Sequence, residues 1–215
     1  MAALATTITV LGAVALFEPV NGYQLRRELL SWQMDEWAQV KPGSIYSMLT
    51  TLTRDGYVVR HDLDDEGRAV AVYTTSPAGQ ARLRRLLCRA LSDVDPLSPL
   101  PFHVAVMLQN LLSRDEAELC LARRLEALRL MAHDLRVKLE VMSQGNTSPP
   151  HVLHVVDLSL RLVATDEAWA VEHLSRVRAG AFGFAGEDDP WRPADDDPGW
   201  QMAAEREHYR RLLDR

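Results

Sequence analysis

The chain has 215 residues, of which 47% are hydrophobic and 25% are charged, as in an ordinary globular protein. Its two cysteines, Cys88 and Cys120, form no CxxC pair, which argues against a disulfide framework or a thiolate zinc site and fits a reducing compartment. The formal net charge of −6 is unevenly spread: residues 1–90 have ten Lys/Arg and nine Asp/Glu, whereas residues 91–215 have fourteen against twenty-one. The acidity belongs to the C-terminal half, so the net charge does not exclude a nucleic-acid partner for the N-terminal half.

The chain begins with an apolar stretch over residues 2–17 that lacks the features of a secretion signal. No basic residues precede it, and Glu18 and Pro19 stand where small residues would mark a cleavage site. It is also shorter than the ~20 apolar residues of a membrane span. We therefore expect a cytoplasmic protein, and a first helix with one buried face in this stretch. The residues of that face are Leu4, Ile8, Leu11 and Ala15.

Two further helices follow. Asn21 is a suitable N-cap for the first of them, which begins near Tyr23. The other begins at Pro42, because the first turn of a helix tolerates the missing N–H of proline, and it ends before Gly56, the usual residue after a helix. The inward-facing residues of this third predicted helix are Ile45, Leu49 and Leu52.

A β-hairpin comes next. Residues 57–61 and 69–73 are short β-branched runs, and the polar segment 64–67, which contains a glycine, connects them. The serine–proline pair at 76–77 caps another helix that reaches about Leu91. Three helices followed by a hairpin is the element order of a winged helix, and the hairpin is the wing.

The rest of the chain is predicted to be helical. Residues 93–101, with three prolines, indicate a linker or hinge. Beyond it, the apolar residues of segments 121–142 and 153–177 keep the alternating spacing of three and four that is typical of paired helices. A loose loop over residues 183–199 leads to a short last helix at about 202–213.

The predicted fold is therefore mainly α with a small β-hairpin wing. It consists of a winged helix-turn-helix head over residues 1–92 and an all-helical C-terminal dimerisation arm over residues 102–215. Helices with a heptad pattern bury their apolar faces in each other or in a partner chain, so we expect a homodimer.

The third predicted helix has a small, hydroxylated face opposite its buried residues. Such a face suits the major groove of DNA, where bulky acids would repel phosphate and bulky apolar groups would find no partner. Its N-terminus at Gly43 offers backbone N–H groups and the positive end of the helix dipole to a phosphate, with Lys41 and Tyr46 close by. A merely solvated face is the alternative, and the hairpin directly downstream favours DNA docking. The residues of this face are Ser44, Ser47, Thr51 and Arg54.

Four short segments add a more specific signal. They are Gly22-Tyr23-Gln24-Leu25, then Pro42-Gly43-Ser44-Ile45-Tyr46 with Leu49 and Leu52, then Gly56-Tyr57-Val58, and finally Tyr73 with Ser76-Pro77-Ala78-Gly79. In this register they resemble the PadR family of winged-helix transcriptional regulators over residues 4–90. The resemblance implies a dimeric regulator, usually a repressor, whose C-terminal helices form the dimer interface. It also implies that Tyr23, Ser44 and Tyr46 meet the DNA.

The expected partner is thus double-stranded DNA, read as an inverted repeat by a homodimer. The expected contacts are Tyr23, Lys41, Pro42, Gly43, Ser44, Tyr46, Ser47, Thr51, Arg54, Arg60, His61 and Arg68. The wing departs from the family, since its basic residues flank an acidic tip over residues 62–66, which weakens the expected grip on phosphate. A winged-helix protein–protein adaptor that never touches DNA is the alternative function.

A small-molecule effector is a further hypothesis. Trp32, Trp37 and Trp169 either belong to the core or line a chamber between head and arm that holds a flat aromatic effector. Trp191 and Trp200, in the C-terminal segment, would cover that chamber or nothing.

No metal, cofactor or catalytic site is expected. His151 and His154 lie one turn apart on a predicted helix, with Asp157 nearby. His173 lies about 33 Å from His151 along that helix, at 1.5 Å per residue, so the three histidines cannot converge on one ion. The sequence has no glycine-rich phosphate loop, GxSxG elbow or HExxH motif. Cys120 stands in a helical pattern, which indicates a helix residue and not a nucleophile.

Overall fold

The computed structural model describes residues 2–38, 40–145, 148–188, 192–197 and 199–214. The helices are α1 (Ala2–Phe17), α2 (Gly22–Ser31), α3 (Met34–Trp37), α4 (Pro42–Arg54), α5 (Pro77–Ser92), α6 (Leu100–Met107), α7 (Arg114–Gln144), α8 (Pro150–Arg178) and α9 (Gly199–Leu213). The strands are β1 (Val20–Asn21), β2 (Val58–Asp65) and β3 (Arg68–Thr75), which form one antiparallel sheet in the order β1-β3-β2. The predicted fold class, mainly α with a small β wing, is confirmed. Within the described ranges, no helix has the length and apolarity needed to cross a membrane.

Helix α1 is the centre of the head. The sequence predicted one buried face, but all residues from Ile8 to Val14 are buried. The reason is that α4, α5, α6 and the sheet pack around it. Gly12 permits the closest approach, because a Cβ there would lie 2.5 Å from a methyl carbon of Leu108.

The helix-turn-helix forms as its caps predict. The side chain of Asn21 accepts from the N–H of Gln24, whose own side chain accepts from the N–H of Asn21, a capping box at the start of α2. Pro42 occupies the first turn of α4, and Gly56 follows its end with a φ of +76°. The one-turn helix α3 between them was not predicted from the sequence.

The wing is longer than predicted. Asp64 and Asp65 were assigned to the connecting loop, but they continue β2, and Asp65 pairs with Arg68 of β3. Only Glu66 and Gly67 form the turn, with φ values of +52° and +84°. Positive φ at both central residues is the condition for a two-residue type I′ turn, which twists with the strands.

Helices α7 and α8 form the antiparallel helical hairpin of the arm, as the heptad pattern predicts. Their proximal halves share a core to which Leu121, Leu128, Val163 and Leu174 contribute. Towards the hairpin tip this core ends, and apolar side chains become exposed to solvent. The exposed ones there are Val137, Val141, Val152, Val155 and Leu158.

The arm and the head are joined by packing as well as by the linker. Helix α5 packs on α7, and α6 packs on α1. The sequence analysis began the arm at residue 102, yet Phe102, Val104 and Ala105 belong to the same core cluster as α1. Helix α9 also returns to the head, where Met202 and Tyr209 are buried.

Candidate nucleic-acid interface

The exposed face of α4 shares Ser47 and Arg54 with the predicted face and differs from it at Ser44 and Thr51. Tyr46, Ser47 and Arg54 are exposed, and so is Thr50, whereas the predicted Thr51 is only half-buried, as is Ser44. The buried sector of the helix extends through Met48, whose sulfur accepts from the Thr7 hydroxyl at 3.8 Å. This turns the exposed face away from Thr51 and towards Thr50. The sequence signal that would have found Thr50 is its spacing of three from Ser47 and four from Arg54.

The hydroxyl groups on this face have a defined hydrogen-bonding state. Ser47 donates to the carbonyl of Ser44 at 3.1 Å, and Thr50 donates to the carbonyl of Tyr46 at 3.0 Å. Thr51 donates in the same way to the carbonyl of Ser47. Because these hydroxyl protons are engaged within the helix, the free lone pairs can accept from the amino group of adenine or cytosine in a major groove.

The N-terminus of α4 is open to an anion. Lys41 is its N-cap residue and makes no side-chain capping bond. Pro42 has no N–H, and Ser44 N–H donates to the Lys41 carbonyl at 2.8 Å, so the Gly43 N–H is what this end offers to an anion. Two exposed phenols flank this end, with Tyr23 65% and Tyr46 45% exposed. A Cβ at Gly22 would lie 2.8 Å from the Tyr46 ring, so glycine there lets the ring pack over the start of α2, next to Tyr23.

The basic residues of the wing are partly engaged by acids. The Arg60 guanidinium donates to Asp62 at 2.8 Å, and this exposed hydrogen bond raises the pKa of Arg60. His61 is half-buried, with Nε2 2.9 Å from the Thr74 hydroxyl on the neighbouring strand. Arg68, at the tip, is exposed.

At the C-terminal end of α4, Arg54 pairs with Asp55 at 2.9 Å. Among the described residues, Lys41 and Arg68 are the predicted contacts that have a positive charge and no ion pair.

Two adjoining cavities lie at the junction of head and arm. One, of about 520 Å³, lies between the linker, α5 and α7, and the other, of about 430 Å³, lies between the linker, α6 and α8. Phe102 lines both, and Trp169 lines the second with its ring edge-on to Phe102 at 5.4 Å. Trp32 and Trp37 line neither cavity, so the three predicted tryptophans are not brought together.

Trp32 and Trp37 lie at the C-terminal ends of α2 and α3, respectively. Trp32 packs on Phe17 at 5.6 Å, and its carbonyl accepts from Trp37 Nε1 at 2.9 Å. Of the C-terminal pair, Trp200 donates to the carbonyl of Ala194 at 2.7 Å, and Trp191 lies outside the described residues.

A buried arginine, which was not predicted from the sequence, lines the first cavity and links the linker to α8. Arg124 is 2% exposed, forms an ion pair with both carboxylate oxygens of Asp166, and donates to the carbonyl of Asp93 at 2.6 Å. Its guanidinium carbon lies 3.5 Å from the centre of the Phe102 ring. Arg124 stands at an inward position of α7 among leucines, and a search for exposed charge would not single it out.

The histidines do not converge. His173 is buried with its ring stacked on Trp169 at 4.5 Å, and Nε2 lies 2.9 Å from Gln109 Oε1. Burial lowers the pKa of His173, so its neutral form donates to Gln109. His151 and His154 are exposed at the other end of α8. No cluster of three metal-ligating residues occurs in the part of the chain that the structure describes.

Comparison with known proteins gives one family and several similar structures. Residues 10–85 match the Transcriptional regulator PadR-like family. The crystal structure of Bacillus subtilis PadR in complex with operator DNA is 20% identical, covers 80% of this chain and 98% of that chain, and has a TM-score of 0.36. The crystal structure of smu.1604c from Streptococcus mutans UA159 is 21% identical, covering 79% and 98%, with a TM-score of 0.34. Bacillus subtilis PadR in complex with p-coumaric acid is 18% identical, covering 81% and 96%, also with a TM-score of 0.34. No curated protein matches the sequence.

Proposed function

We propose that this chain is a homodimeric repressor. The premise is that residues 10–85 form a PadR-like transcriptional-regulator domain. The repressor binds an inverted-repeat operator in double-stranded DNA and is released by a small effector. The observation that supports DNA binding best is the exposed hydroxyl face of α4, with its uncapped N-terminus between Tyr23 and Tyr46. Its expected place of action is the cytoplasm, in keeping with two free cysteines.

The test of DNA binding is selection of bound fragments from random duplex DNA, followed by titration of the selected site at several salt concentrations. Phosphate contacts release counterions, so the logarithm of the affinity should fall linearly with the logarithm of the salt concentration. A protein–protein adaptor would enrich no sequence and would show no such slope.

The exposed apolar residues near the tip of the helical hairpin support the dimer. Val141, Val155 and Leu158 are 63%, 61% and 56% exposed, and a second copy of the hairpin would cover them. A two-fold dimer places both α4 helices on one face of the duplex. The half-site centres should then lie ~34 Å apart, or a multiple of it, and footprinting of a single non-palindromic site would contradict the dimer.

The cavity of about 430 Å³ supports an effector site, and its wall indicates the class of ligand. Phe102 and Trp169 offer flat apolar surfaces, and the charged residues of the wall are Asp95 and Asp166. The nearby cation, Arg124, is already engaged by Asp166, the Asp93 carbonyl and the Phe102 ring. A flat aromatic ligand that is neutral or cationic therefore fits this wall better than an aromatic carboxylate.

Tryptophan fluorescence and DNA affinity together test the effector. Aromatic amines and matched aromatic carboxylates are screened for quenching, with Trp169→Phe as the control that should lose the signal. A true effector also lowers DNA affinity, by up to about a hundredfold if it prefers the DNA-free state by ~3 kcal/mol. Ligands that quench without changing DNA affinity would mean that the cavity is no switch.

A further inference from the structure

Helix α9 lies against the two elements of the head that the proposed function brings to DNA. On α2, the Glu205 carboxylate accepts from Gln24 Nε2 at 2.8 Å and from Arg27 Nη2 at 3.0 Å. The Tyr209 hydroxyl accepts from Asn21 Nδ2 at 2.9 Å. Gln24 and Tyr209 are buried, at 3% and 7% exposed, whereas the Arg27–Glu205 ion pair is partly exposed.

The same helix reaches the tip of the wing. His208 Nε2 lies 2.8 Å from Asp65 Oδ1, at the last residue of β2 before the turn. Two residues earlier, Arg206 Nη1 donates to the Leu16 carbonyl near the end of α1. A single helix thus holds α1, α2 and the wing tip.

The wing needs support at its tip, because the sheet supports only its base. Strand β1 pairs with β3 at Tyr73 and Val72 alone. From Asp62 to Ala71 the hairpin projects beyond β1 as two strands, and an isolated two-stranded hairpin is marginally stable in water. The contact of His208 with Asp65 is made in this projecting part.

The contacts of α9 leave the candidate DNA surface free. On α2 they involve Asn21, Gln24 and Arg27, while Tyr23 stays 65% exposed. On the wing, α9 contacts Asp65 on the half-buried side of β2, and Arg60 lies on the opposite, exposed side. Arg68, the cross-strand partner of Asp65 on the same side, stays exposed beside this contact. Helix α9 therefore contacts α2 and the wing without covering Tyr23, Arg60 or Arg68, which stay exposed.

We propose that α9 is a brace that fixes the wing relative to α2 for DNA binding, with Glu205 and His208 as positioning residues. The proposal rests on the proposed function, since it concerns how the same surface is held. A wing that is already fixed in the free protein does not have to be ordered when DNA binds, and pre-organisation of this kind raises affinity without any new contact.

Point substitutions in the full-length chain test the brace. His208→Ala and Glu205→Ala should each weaken binding to the selected operator about two- to tenfold, the loss expected when one side-chain contact must be ordered on binding. His208→Gln keeps an N–H donor for Asp65 and should restore binding. Glu207→Ala is the matched control, because this exposed carboxylate contacts Arg210 of its own helix and should leave the affinity unchanged.

Amide hydrogen exchange of the free protein supplies a readout that does not depend on DNA. His208→Ala should speed exchange over residues 62–71 and leave exchange in α7 and α8 as in the wild type, whereas a general loss of stability would speed both. Wild-type exchange in the wing would overturn the brace, and so would variants that bind the operator more tightly, because α9 would then inhibit. If the wild type enriches no DNA sequence, the proposed function fails, and wing exchange still decides whether α9 holds the wing.

Discussion

At the scale of single residues, Arg124 shows how a buried charge is accommodated. Its guanidinium is surrounded by three partners from other parts of the chain. They are the carboxylate of Asp166, the carbonyl of Asp93 and the face of the Phe102 ring. Burying an unpaired cation would cost several kcal/mol, so the buried position of Arg124 depends on these partners. The result is one side chain that ties the linker to α6, α7 and α8.

Loss of the Arg124 side chain should therefore destabilise the whole protein. We expect Arg124→Ala to lower the free energy of unfolding by about 3 kcal/mol, because it leaves Asp166 without its partner. Urea denaturation measures this. Arg129→Ala is the control, since the ion pair of Arg129 with Glu167 lies at the surface and contributes less than about 1 kcal/mol. Equal effects of the two substitutions would contradict the special role of Arg124.

The two cysteines give a second residue-scale prediction. Two causes raise the pKa of the Cys88 thiol from 9.0 to about 12. Burial is the larger cause, and a hydrogen bond with Cys120 is the second. At pH 8 the thiolate fraction, and with it the alkylation rate, should be about a thousandfold lower than in the unfolded chain.

Iodoacetamide labelling of Cys88, read by mass spectrometry, checks this and should speed up as the pH rises from 8 to 11. Cys120→Ser should leave Cys88 protected, because burial is the larger cause. Rapid labelling of native Cys88 at pH 8 would show that the thiol is ionised.

At the scale of elements, the sequence predicted what local chemistry decides. Asn21, Pro42, Gly56 and Ser76 are caps or turn residues, and each marks an element boundary close to the observed one. The family resemblance carried by the same segments is confirmed over residues 10–85. What the sequence missed depends on tertiary contacts: the two-residue β1, the one-turn α3, and the choice of Thr50 over Thr51, which Met48 decides by packing inward.

The basic residues and the hydroxyl residues of the candidate DNA surface should contribute to DNA binding in different ways. Lys41→Ala and Arg68→Ala should weaken binding to all sequences and reduce the salt slope by about one unit each, since each removes a phosphate contact. Arg60→Ala should do less, because Asp62 already engages Arg60. Ser47→Ala and Thr50→Ala should change the preference between bases by ~1 kcal/mol per lost contact, and Thr51→Ala less, as it is half-buried.

Titration of operator and mismatched duplexes at several salt concentrations separates these effects. Asp62→Asn is a useful counterpart, because it frees Arg60 and should strengthen binding. An unchanged salt slope in Lys41→Ala and Arg68→Ala would mean that neither side chain meets phosphate.

At the scale of the whole molecule, head and arm are interlocked. The sequence predicted a boundary in the proline-rich segment between residues 92 and 102, and α6 begins within that segment, at Leu100. However, α6 and Met202 complete the core around α1, and long-range packing of this kind has no local signature. A head cut after residue 101 would lose part of its core, so we expect it to fold poorly.

The dimer should depend on the tip of the helical hairpin. Val141→Asp or Leu158→Asp places a carboxylate on the exposed apolar surface there, and burial of that charge between two copies would be costly. Light scattering should then give the 24.2 kDa monomer instead of twice that mass. Val171→Asp, exposed near the other end of α8, should leave the dimer intact. A wild-type monomer at micromolar concentration would contradict the dimer itself.

The position of α9 also has a consequence for biosynthesis. Glu205 contacts Gln24 across 181 residues of chain, so the contact forms only after the wing and the helical hairpin have been translated. At 5–20 residues per second, the ribosome needs roughly 10 to 40 s to travel from α2 to α9. During that interval the nascent head has α4 and the wing but not the contacts of α9. The helical hairpin is complete at Arg178, before Glu205 is added. Under the proposed function, two copies can therefore begin to assemble before α9 can fix the wing for operator binding.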